Sequence, residues 1–224
     1  MGIKNNNIAS FLEPESNGFL YDTARSFLRR HSNPESLLAQ IKNLMVQGQL
    51  DACRDMIQLV IREGHELGDQ SELYLMRAQV AYEQADNLGE VMAWIQQAKH
   101  CKDNNPSVET WDQFISARNA LREGDISKGL GRLNMLSENT EVAQMAKYEM
   151  AHHLFWKSQN TDKAILLLEE VVSERPSFIQ ALSTLGFAYN KKGLKEKAQQ
   201  TFGQCIEMDS CPDRLKVYKQ QIAS

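Results

Sequence analysis

The side chains best placed for chemistry are His152 and His153 with Glu149. Residues three and four apart share a helical face, so a helix here would present this carboxylate beside both imidazoles. Such a set could ligate a metal or relay a proton. A metal site needs a further ligand, and the chain has no HExxH motif and no additional Cys or His at ligand spacing. The expectation is therefore a histidine lining a groove, with no metal. The 12 glycines form neither a GxGxxG nor a GxxxxGK[ST] phosphate loop. The cysteines Cys53, Cys101, Cys205 and Cys211 show no CxxC spacing, and Cys53 and Cys205 fall on apolar stripes where a thiol packs as a small hydrophobe. All four are expected reduced in a cytosol. Nothing signals Ser-His-Asp or Cys-His catalysis, so the chain is expected to be no enzyme and to carry no cofactor.

The elements that hold these residues are clearest between Pro176 and Pro212. Leu182, Leu185, Gly186 and Tyr189 form one helical stripe, Lys192-Gly193 makes a turn, and Ala198, Phe202, Cys205 and Ile206 form a second stripe. Small Gly186 and Ala198 let the two helix axes approach closely. Neither helix buries its stripe alone, which is the mark of a repeat unit that needs copies as neighbours. A step of 34 residues towards the N-terminus finds Tyr148, Ala151 and Phe155, a turn at 158–161, then Ala164, Leu168, Val171 and Val172. These positions, closed by a proline, resemble the tetratricopeptide repeat family. The last copy matches its pattern closely, whereas the preceding copy has His152 in place of the glycine.

The resemblance implies an all-α fold, a right-handed α-solenoid of about five helical hairpins with a capping helix at each end. Prolines act as an independent ruler: Pro34, Pro106, Pro176 and Pro212 stand 72, 70 and 36 residues apart, about two, two and one repeat lengths. The missing boundaries fall near Gly68-Asp69-Gln70 and Asn139-Thr140. The expected organisation is a polar, poorly ordered segment over 1–17, a capping helix over 18–33, the solenoid over 34–212 and a C-terminal cap over 213–224. Residues 18–33, with Phe19, Leu20, Phe27 and Leu28 before Arg29-Arg30-His31, would cover the open end of the stack, or else lie on a membrane surface. The first two units are about four residues longer than the period, placing the excess in the second helix or at 63–66 and 102–105. In the third unit Trp111, Phe114, Ala117 and Leu121 precede Gly129, Leu133 and Leu136 across a short turn at Gly124-Asp125.

In such a stack first helices line a concave face, and residues off the packing stripe converge on it. By spacing these are Met76, Arg77, Val80 and Glu83, then Ile115, Asn119 and Arg122. Met150, His153 and Trp156 follow, then Phe187, Asn190 and Lys191. Apolar surface mixed with polar donors suits a peptide or amphipathic helix of a partner protein. Trp156 is either the interface anchor or a ring that packs over the neighbouring unit. Some family members grip a C-terminal carboxylate with Lys and Asn; Leu38, Lys42 and Arg77 do not reproduce that clamp, so co-chaperone binding is not expected. Two more specific roles follow from the resemblance: a secretion-type chaperone cradling a client segment, or the targeting or regulatory part of a larger enzyme or assembly.

Charge supports no other partner class. The 224 residues carry a net charge of −4, with 14 basic and 20 acidic residues before Gln144 and 11 and 9 after it. No basic block calls for nucleic acid. No apolar run approaches the roughly 20 residues that span a bilayer, and Met1 to Asn7 has no apolar core of a secretory signal. A cytoplasmic protein with no membrane insertion is expected.

Overall fold

A computed structural model describes residues 34–62, 70–84, 88–101, 105–138, 140–209 and 211–223. The expected segment 1–17, the capping helix at 18–33 and the connections at 63–69 and 102–104 lie outside them. Every regular element among the described residues is a helix: α1 (Pro34–Val46), α2 (Leu50–Arg62), α3 (Gln70–Glu83), α4 (Leu88–His100), α5 (Pro106–Glu123), α6 (Ile126–Leu136), α7 (Ala143–Trp156), α8 (Thr161–Glu174), α9 (Ile179–Lys191), α10 (Lys195–Met208) and α11 (Pro212–Ala223). The all-α fold that the resemblance implies is the one observed among the described residues. The extra residues expected at 63–66, and at 102–104 of 102–105, lie outside the described residues.

Short connections make successive helices into hairpins. Gly193 closes α9 onto α10 with φ of +75°, a left-handed conformation that glycine adopts without a Cβ penalty. One repeat earlier Gln159 takes φ of +54° at the matching place between α7 and α8, showing that the turn geometry outlasts the glycine. The second helices of two hairpins start on side-chain caps: Asp125 accepts from the Lys128 amide and Asn160 from the Lys163 amide, both at 3.3 Å.

The chain forms two compact units, 1–115 and 116–224, divided within α5. In the first, Leu37 and Ile41 of α1 meet Cys53, Ile57 and Val60 of α2 and Leu73, Met76 and Val80 of α3. Tyr82 then stands edge-on to Trp111 and Phe114 of α5 at 5.9 and 5.3 Å, a geometry worth about 0.5–1.5 kcal/mol per pair beyond buried area.

In the second unit α7 packs on α8, α8 on α9, α9 on α10 and α10 on α11. Gly186 of α9 lies against the Phe202 ring of α10, and Gly129 of α6 lies against Leu121, so small residues set both helix separations. α11 is held by Asp209. That carboxylate accepts from Arg214 Nε at 2.6 Å, Arg214 Nη2 at 2.8 Å, the Cys211 amide at 2.9 Å and the Tyr218 hydroxyl at 3.2 Å. Burial alone would raise its pKa, but these donors outweigh it and hold the group below the usual carboxylate range.

Candidate functional site

The pair of histidines occupies α7, with different surroundings for each ring. His153 is buried, and Glu149, also buried, accepts from Arg118 Nε at 2.8 Å. His152 lies between Tyr148 and Trp156, with ring centroids 5.8 and 6.3 Å away. Burial first, and then the charges of Arg118, His153 and Lys157, depress its pKa to about 4. His152 is therefore a neutral aromatic at neutral pH. Among the described residues no three His, Cys, Asp or Glu side chains are grouped so as to hold a metal. Cys53 and Cys205 are fully buried, and burial pushes both thiols up to about 12, far from the reactive thiolate.

The residues expected to line a groove divide into buried and accessible sets. Met76, Arg77, Val80, Ile115 and His153 are buried, which corrects the expectation that they stand off the packing stripes. Arg77 is the clearest case. It is 2% exposed, its Nη2 lies 2.5 Å from Glu90 Oε1, and its guanidinium sits 5.4 Å over the Trp94 ring. Trp94 Nε1 donates to the same Glu90 oxygen at 3.1 Å. Spacing treats Arg77 as surface because it lies off the single stripe read for its helix. The signal that could have found its partner was Glu90 on the facing helix of the same hairpin.

Glu83 and Asn119 are half-buried, and Asn119 Nδ2 donates to Glu123 Oε1 at 2.8 Å within its own helix. Arg122 is exposed. Asn190 Nδ2 donates to Gln221 Oε1 of α11 at 3.0 Å, and Met150 is half-buried.

The accessible set of the second unit centres on Trp156. This residue ends α7 and remains 50% exposed, whereas Trp94 and Trp111 are buried. Its ring meets Phe155 edge-on at 4.6 Å and Phe187 of α9 at 6.0 Å. Phe187 passes the contact on to Phe202 at 5.2 Å, and Phe202 stacks on Tyr218 at 5.9 Å. A series of rings thus runs from the exposed indole into the core. Lys191, at the end of α9, holds its Nζ 5.2 Å over the Phe155 ring. Spacing missed Lys157, which is exposed at the C-cap of α7, 34 residues before Lys191. That equal step was the available signal.

Residues 179–210, which comprise α9, its turn and α10, match the family model of the tetratricopeptide repeat. Residues 179–210 form a tetratricopeptide repeat. Solved structures similar to the chain include these two. The crystal structure of MamA protein is 16% identical, over 78% of this chain and 91% of that one, with a TM-score of 0.39. The crystal structure of YrrB, described as a TPR protein with an unusual peptide-binding site, is 14% identical, over 89% of this chain and 99% of that one, with a TM-score of 0.43. No curated protein matches the sequence. In the last two helical hairpins of the second unit, Trp156 and Asn190 are positional equivalents, as are His153 and Phe187, each 34 residues apart.

Proposed function

We propose that this protein is a protein–protein interaction module whose second unit takes a peptide or amphipathic helix of a partner across α7 and α9. The observation that carries this reading is the half-exposed Trp156, supported by the rings of Phe155 and Phe187. Aromatic residues with one covered and one open face are typical interface anchors. Phe187, Asn190 and Lys191 supply apolar contact, a hydrogen-bonding amide and a charge beside it. Neutral His152 and the buried cysteines favour binding over catalysis. No helix among the described residues is long and apolar enough to cross a membrane.

The test is parallel affinity capture with the full chain and its Trp156→Ala/Phe187→Ala variant, read by mass spectrometry. A partner recovered by the first and lost by the second, with both baits equally folded by circular dichroism, is the expected outcome. Identical partner sets would overturn the assignment of the site to α7 and α9.

A further inference from the structure

The cations around Trp156 lack the carboxylates that neutralise their neighbours. Lys192 Nζ pairs with Asp162 at 2.7 Å, Arg118 pairs with Glu149 at 2.8 Å, and Lys197 reaches Glu169 at 3.4 Å. Exposed Lys157 and Lys191 have no such carboxylate among the described residues. Both occupy the same register position of successive hairpins, one residue C-terminal to Trp156 and to Asn190. Each also sits at a helix C-terminus, whose partial negative charge, about half a unit, favours a cation there. A full ammonium charge exceeds that half unit, so the sign of the surface beside the indole stays positive.

We propose that this surface selects an acidic segment, in which a bulky apolar side chain is flanked by carboxylates. The proposal rests on the reading of α7 and α9 as a protein-binding surface and narrows it to one partner chemistry. The apolar side chain seats against Trp156 and Phe187, while carboxylates on either side approach Lys157 and Lys191. Charge complementarity excludes a basic amphipathic helix, because its cations would face two ammonium groups without compensation.

Fluorescence anisotropy with labelled synthetic 12-residue peptides tests this on the full chain. One peptide alternates Asp with Leu and Phe, a second replaces Asp by Lys, and a third keeps Asp but replaces the apolar residues by Ser. The acidic apolar peptide is expected to bind about tenfold tighter than either of the others, with an affinity that falls as salt rises. The Lys157→Glu/Lys191→Glu variant is expected to reverse the preference between the first two. Trp156→Ala is expected to weaken binding of the acidic apolar peptide by about tenfold or more. Equal binding of the acidic and basic apolar peptides, both lost in Trp156→Ala, would overturn the charge selection while leaving the binding surface standing. Binding of the acidic peptides that ignores Trp156→Ala, or no binding by any peptide, would overturn the surface as well.

Discussion

Gly186 faces the ring of Phe202: a Cβ at this glycine would stand 2.8 Å from both Cε1 and Cζ. The ring has no room to retreat, since it is fully buried with Phe187 on one side and Tyr218 stacked on another. Gly186→Ala gains up to about 1 kcal/mol of helix propensity but forces an overpacking that costs about 1–3 kcal/mol. Net destabilisation is expected. Gly203, on α10 with nothing within 4 Å of its missing Cβ, is the control. Gly203→Ala should stabilise by about 0.5–1 kcal/mol in urea unfolding. A stabilised Gly186→Ala would show that the α9–α10 contact is looser than described.

The tetratricopeptide stripe assigns Tyr189 to the core, where it is found with its hydroxyl donating to Glu169 Oε1 at 2.6 Å. Burial, then Glu169, raise its pKa, so the phenol remains a donor across the working pH range. Tyr189→Ala is expected to cost about 3–5 kcal/mol. Tyr189→Phe should lose only the hydrogen bond, about 1 kcal/mol. Chemical denaturation of the two variants separates ring from hydroxyl, and equal losses would mean that the ring packs against little.

How much was legible in the sequence depended on how many faces of each helix are covered. Where a hairpin follows the 34-residue step, as with Leu182, Leu185, Gly186, Ala198 and Phe202, stripe residues are also core residues. α3 defeats the same logic. Ser71, Leu73, Leu75, Met76, Arg77, Ala78, Val80, Ala81 and Tyr82 are all buried, so this helix has little open face to assign. Reading one stripe per helix presumes that the other side meets water. Arg77 and Val80 were placed on the groove for that reason, although Val80 belongs to the core shared by α1, α2 and α3. The turns at Gly124 and Gly193 were legible because a glycine marks each left-handed position, whereas the turn at 158–161 was legible from the 34-residue step alone, since Gln159 carries no such mark.

The buried pair of Arg77 and Glu90 gives a prediction of a different kind. Removing one member of a buried ion pair costs about 3–5 kcal/mol, because the other charge stays desolvated, whereas replacing both by apolar residues is often neutral. Glu90→Leu is therefore expected to destabilise the first unit strongly, and Arg77→Met/Glu90→Leu to recover much of the loss. A double variant no better than the single one would show that Trp94, bonded to Glu90, needs that carboxylate more than Arg77 does.

His152 makes stability depend on pH with a definite sign. Its pKa is about 4 in the folded chain and near 6.5 when unfolded. Between these values the unfolded chain binds the extra proton, so stability rises with pH through this window and is lost as pH falls from about 6.5 towards 4. The expected loss is on the order of 1–3 kcal/mol. Urea midpoints of the native chain and His152→Gln between pH 7.5 and 4.5 should converge at low pH relative to their separation at neutrality. Parallel pH profiles would assign the acid sensitivity to other groups.

The three tryptophans separate a binding surface from a packed core. Trp94 and Trp111 are buried, and cutting either to alanine should cost about 3–5 kcal/mol. Trp156 touches Phe155 and Phe187 with one side and water with the other, so Trp156→Ala should cost less than about 2 kcal/mol of stability. Its larger effect belongs to binding: anchors of this kind typically cost at least about 2 kcal/mol, roughly thirtyfold in affinity. Three single variants, each melted and each titrated with the acidic apolar peptide, make the comparison. Trp94→Ala is expected to melt early, whereas Trp156→Ala should melt nearly as the native chain does and bind weakly. If Trp156→Ala instead melted as early as Trp94→Ala and kept its affinity, the indole would be core, and the partner surface would have to lie away from the end of α7.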